Sequence, residues 1–146
     1  MNFDFFNELS DKYLQTNFGR GIFLAGIVLG MIANEESKNG GKSVEDTPLY
    51  KQINFGKMSL KELKNHLART PELMKAYNIE HSEMIKSLTI EAGELILKDK
   101  AKDLGVDGNF AFTVAFMNSN EYFWNKIFRK KRSYFRKRRK RDQKTC

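Results

Sequence analysis

The chain of 146 residues contains one cysteine, Cys146, and it is the last residue. That excludes an intramolecular disulfide and any cysteine-built metal site, and it fits a reducing compartment. Histidine is almost as scarce. His81 stands without a second histidine or a carboxylate at a helical ligand spacing and His66 has only Glu62 four positions back, too few donors to hold a metal, so each reads as a surface or satisfied core side chain rather than a metal ligand. Strand signal is nearly missing, with "QINF" at residues 52–55 the one short candidate. The most apolar stretch, residues 22–33, falls short of the roughly 20 residues that span a bilayer. The opening Met-Asn-Phe-Asp-Phe-Phe lacks the basic start, apolar run and small-residue cleavage site of a secretory signal. These absences give the expectation of a soluble, cytoplasmic protein that does not bind membrane.

Catalytic patterns are missing as well. No complete phosphate-binding loop and no Gly-x-Ser-x-Gly nucleophile turn is present, and Glu91 with Glu94 is an ordinary solvated i, i+3 pair. The expectation is a protein that is not an enzyme and carries no cofactor or metal.

What the sequence does have is helical periodicity and a divided charge. With 40% hydrophobic residues the chain is long enough to bury one real core. Phe3, Phe6, Leu9 and Tyr13 outline a first amphipathic helix, and "GIFLAGIVLGMIA" a second over residues 20–36, apolar on nearly all sides and therefore central. Gly26 and Gly30, one turn apart, offer a flat strip for close helix packing. "ESKNGGKSVEDTP" reads as a surface loop. Ser59 and Glu62 have the spacing of a capping box that opens a helix with Leu60, Leu63 and Leu67 inward, and Thr70-Pro71 starts a short helix to about Tyr77.

Met84, Ile85, Leu88, Ala92, Leu95 and Ile96 mark a long helix over residues 82–100. A last helical region opens near Asp107 with two apolar stripes. One comprises Phe110, Val114, Met117, Trp124 and Phe128, the other Phe112, Phe116, Phe123 and Ile127. Either both stripes are covered, or the helix breaks at "NSN" with Asn118 capping a new one. The fold class expected is all-α: a compact bundle of about five or six helices over residues 1–128, then a basic tail, residues 129–146, that is flexible or extends the last helix.

The net charge of +8 is not spread evenly. Residues 126–144 hold twelve Lys/Arg and one acid, a net of +11, which leaves the preceding chain at −3. A like-charge block stays solvated and collects phosphates by releasing their counterions. The candidate nucleic-acid contacts in it are Arg129, Lys130, Lys131, Arg132, Arg136, Lys137, Arg138, Arg139, Lys140 and Arg141. Tyr134 and Phe135 interrupt the run, either to stack bases or to end the last helix against the core. Lys57, Lys61 and Lys64 form a second candidate patch, equally readable as a solvated helix face.

"GIFLAGIVLGMIANEE" followed by "PLYKQINFGKMSLKELKNHL" resembles the C-terminal region of the large subunit of type I-B CRISPR surveillance complexes, the Cascade family. The resemblance spans about residues 18–117. It implies a helical bundle serving as a small subunit, packed in several copies beside the large subunit, where it supports the guide RNA–target DNA hybrid or the displaced strand through backbone contacts. A chain starting directly at a helix looks like the internally initiated product that several such systems make. A reading from another class puts "FWNKIF" at a lipid interface and the basic run on anionic headgroups.

Overall fold

A computed structural model describes residues 1–99 and 103–128. They form seven α-helices, among the described residues without a strand: α1 Asn17–Gly40, α2 Pro48–Gln52, α3 Leu60–Ala68, α4 Thr70–Ala76, α5 Ser82–Lys98, α6 Gly105–Met117 and α7 Ser119–Tyr122. A π-helical turn, Phe123–Ile127, continues α7. The count exceeds the expected five or six because α2 and α7 are short helices that periodicity does not resolve. Gln52 of "QINF" ends α2 and the rest is loop.

The expected first amphipathic helix does not form. Residues 3–16 make two 3₁₀ turns, Asp4–Glu8 and Tyr13–Gln15. Local side chains compete for the backbone: Asn2 Oδ1 accepts from Asp4 N–H at 2.9 Å and Asp11 Oδ1 from Tyr13 N–H at 2.9 Å. Gln15 Nε2 donates to the carbonyls of Phe6 and Leu9 at 2.7 and 2.9 Å, consuming acceptors that an α-helix would have used. The aromatic face still works, since Phe5 and Phe6 are buried and Phe6 meets Phe23 edge-on.

α1 is the axis of the domain. Thr16 caps it, Oγ1 accepting from Gly19 N–H at 2.9 Å, and Gly41 ends it in the left-handed region at φ 61°. It thus exceeds the expected residues 20–36 at both ends. By length and composition α1 could cross a membrane, yet 83% of its most apolar window is buried inside this fold. α5 packs on one part of α1 and α6 on another. The small residues decide how closely: a Cβ on Gly26 would sit 2.6 Å from the Phe112 carbonyl oxygen, and one on Gly30 2.5 Å from Ser119 Oγ. The expected tight packing strip is therefore the α1–α6 seam.

The region after Asp107 breaks at Asn118, as one of the two readings required. Asn118 does not cap the new helix; its Nδ2 donates back to the Val114 carbonyl at 2.9 Å. Only one apolar stripe is buried throughout. Phe112, Phe116, Phe123 and Ile127 are core, whereas Phe110 is 68% and Met117 52% exposed.

Candidate nucleic-acid interface

The described part of the candidate interface is the stretch from Lys57 through α3. Ser59 caps α3, its Oγ accepting from Glu62 N–H at 3.1 Å, and Leu63 is fully buried below the helix. This orientation leaves Lys61 and Lys64, one turn apart, on the exposed side. Lys57 projects from a turn closed by its own N–H to the Asn54 carbonyl at 3.1 Å.

That turn is held from beneath. The buried Asn109 of α6 accepts from Met58 N–H at 2.8 Å and donates to the Met58 carbonyl at 3.2 Å and to the Gly105 carbonyl at 2.9 Å. A fully bonded buried carboxamide of this kind fixes one arrangement, because leaving any of its partners unmet is costly. Asn109 thus anchors the lysine-bearing turn to the core, a positioning role that its polar type among apolar neighbours marks only after the fold is known.

Among the described residues none of the three lysines forms an ion pair; those found are Lys38 with Glu35 and His81 with Glu80. The patch gains no further charge from His66 on the same helix. Burial, and then the neighbouring Arg69, holds this imidazole below its ordinary value against the opposing pull of Glu62, so it is neutral near pH 7. Three exposed cations without carboxylate partners are available to phosphate oxygens.

Arg129, Lys130, Lys131, Arg132, Arg136, Lys137, Arg138, Arg139, Lys140 and Arg141 lie outside the described residues. Immediately before them, Phe123 and Ile127 are buried at 0% and 1% exposure, which commits two of the four apolar side chains of "FWNKIF" to the core rather than to a lipid surface.

Residues 2–131 match the family described as the CRISPR-associated protein TM1802 (cas_TM1802) C-terminal domain. The chain belongs to this CRISPR-associated family. The match extends past the resemblance seen at residues 18–117, taking in the aromatic N-terminal turns and the first three tail cations. No curated protein and no solved structure matches the chain. Within the TM1802 C-terminal domain family, then, this member is a helical bundle whose axis is α1 and whose free lysines are displayed on α3 and the turn before it.

One concave feature was not legible in the sequence. A cleft of about 210 Å³ lies where the C-terminal half of α1, the link into α5 and the α7–π segment converge, with His81 and Trp124 in its wall. The two rings are 43 positions apart in sequence and meet at 4.8 Å between centroids, 80° between planes. Among the described residues no group of three or more His, Cys, Asp and Glu could hold a metal ion.

Proposed function

We propose that this chain is a non-catalytic, nucleic-acid-binding small subunit of a Cascade-type CRISPR effector complex. On this reading it supports the guide RNA–target DNA hybrid or the displaced DNA strand beside the large subunit and further copies of itself. The observation that carries the reading is membership in a CRISPR-associated family combined with a net +11 at residues 126–144. Guide pairing supplies sequence in such complexes, so the protein's cations need contact only the backbone. Lys57, Lys61 and Lys64 on a core-anchored support fit that demand, and the tail cations extend it.

The test is a salt series with a labelled single strand and a duplex, using the full chain, the triple variant K57E/K61E/K64E and the triple variant R136E/R138E/R139E. Each lost single-strand phosphate contact flattens the log–log salt slope by roughly 0.7. The expected result is a flatter slope in both variants, with affinity for every sequence reduced alike. Unchanged slopes in both variants, or no binding by the full chain, would overturn the reading.

A further inference from the structure

The cleft beside Trp124 has features that a phosphate-tracking role does not use. Its wall is assembled from three segments, and the link into α5 pays a conformational cost to take part. Asn78 and His81 both stand in the left-handed region, at φ 48° and 61°, which non-glycine residues seldom adopt unless the surroundings impose it. The outcome of that geometry is an imidazole set edge-on against the indole.

The indole is itself placed by the π turn. Phe128 N–H bonds to the Phe123 carbonyl at 3.1 Å, and this wide turn keeps Phe123 and Ile127 in the core while Trp124 stays half-buried at the cleft. π turns of this kind recur at functional sites.

The polar lining states what a ligand must offer. Asn34 Nδ2 spends both its hydrogens, on the Gly30 carbonyl at 2.9 Å and on Ser119 Oγ at 3.2 Å, so the carboxamide presents Oδ1 as an acceptor. Glu35 and Glu80 add carboxylate acceptors. Asn120 adds a carboxamide that can donate, but acceptors predominate, so the cleft favours a ligand that donates and disfavours a phosphate within it. Lys38 at the rim, its side chain 76% exposed and its ammonium 4.0 Å from the Glu35 carboxylate, is the place for a phosphate, which would take it from that long pair. At about 210 Å³ the cleft is smaller than the roughly 300–1,000 Å³ of drug-sized pockets, which suits one planar ring system.

We infer that this cleft receives a single unstacked, amino-bearing base, adenine, cytosine or guanine, from single-stranded nucleic acid, with the ring against Trp124 and the adjoining phosphate at Lys38. The exocyclic amine meets the acceptors, as amide and carboxylate side chains meet adenine and cytosine elsewhere. Thymine and uracil present a carbonyl where adenine and cytosine present that amine. The inference rests on the proposed nucleic-acid role and adds a base preference to contacts that otherwise ignore sequence.

The single tryptophan supplies a direct readout. Full-length protein is titrated with labelled dA, dC and dT oligomers of equal length, following anisotropy for total binding and tryptophan emission for the cleft. Expected are a saturable emission change with dA and dC, little with dT, and an affinity preference of roughly fivefold or more. H81G relieves the left-handed strain, so it keeps the fold while removing one wall. It should abolish the preference but not the binding, and W124F should reduce it.

Binding of all oligomers with equal emission change, or a preference that survives both variants, overturns the cleft assignment and leaves the phosphate-contact role standing. Binding by no oligomer removes both. AMP saturating the emission change as tightly as dA would make this a mononucleotide site and overturn the assignment to a strand.

Discussion

α5 and α6 dock on the same central helix and show opposite outer faces. Along α5 the exposed apolar residues Ile90 and Leu97 are interspersed with Glu83, Lys86, Glu94 and Lys98. Along α6 the exposed side carries Val106, Phe110 and Met117, with Asp107 the one charged residue of the helix. A helix with a single buried stripe needs polar residues opposite it, and α5 obeys this. The inner face of α6 fully accounts for its seam with α1, through Phe112, Ala115 and Phe116. Among the described residues the apolar outer face of α6 is left largely uncovered, and the two helices differ in their exteriors, not in how they are held.

The seams themselves offer the strongest way to break this comparison. Gly30 lies so close to α6 and α7 that a Cβ would stand 2.5 Å from Ser119 Oγ and 2.6 Å from the Phe116 carbonyl oxygen. Gly21 faces α5 with a Cβ position 2.8 Å from Ile96 Cγ1. Overpacking on this scale costs about 3 kcal/mol at Gly30→Ala, and less at Gly21→Ala, where the nearest atoms, Ile96 Cγ1, Ile96 N and the Ala92 carbonyl oxygen, stand farther off at 2.8, 2.9 and 3.0 Å. Urea denaturation of both variants checks the order. Equal losses would mean that the α5 seam is as rigid as the α6 seam.

A second test separates α6's packing from its polar anchor. Asn109→Ala keeps the apolar seam but leaves the Met58 N–H and carbonyl without partners, at a cost of about 2 kcal/mol. Because those bonds carry the Lys57 turn, the variant should also weaken nucleic-acid binding at a temperature where the protein remains folded. α5 has no buried polar side chain in this role, so no alanine substitution of an α5 polar residue should do both.

These contrasts show where sequence patterning was informative. α3 and α4 were legible because each combines a hydrophobic period with an end signal, Ser59 before α3 and Pro71 within the first turn of α4, and α1 and α5 because their apolar periods are long. The stretch before α1 misled because Phe3, Phe6, Leu9 and Tyr13 fit a helix by spacing, while Asn2, Asp11 and Gln15 satisfy the backbone in another way. The two apolar stripes after Asp107 left open whether both were covered or the helix broke at Asn118, which periodicity alone does not decide. Lys57, Lys61 and Lys64 were proposed from charge alone, and the structure shows them exposed. The Asn109 anchor and the His81–Trp124 contact depend on pairs 51 and 43 positions apart, for which local periodicity has no signal.

The smallest effect expected sharpens the α6 side. Tyr13 reaches the first turn of α6, where a Cβ on Gly108 would lie 2.9 Å from its Oη. Among the described residues the buried hydroxyl has no hydrogen-bond partner, and its pKa is pushed up to about 12 by burial first, then by Asp107 and Asp11. Removing it in Tyr13→Phe keeps the ring contact with Phe18 and discards an unpaired polar atom, so stability at pH 7 should hold or rise by no more than about 1 kcal/mol. The pH dependence gives the sign. A phenol whose folded pKa lies above its ordinary value of 10 contributes stability that is fully present below 10 and is lost as pH rises through about 12. The wild-type chain should therefore lose stability relative to Tyr13→Phe above pH 10, measured by urea denaturation at pH 7 and pH 11. A stability loss in the variant at pH 7 would show that the hydroxyl is bonded, and that the α6 seam depends on a polar contact at its N-terminal end as well as on the Asn109 anchor.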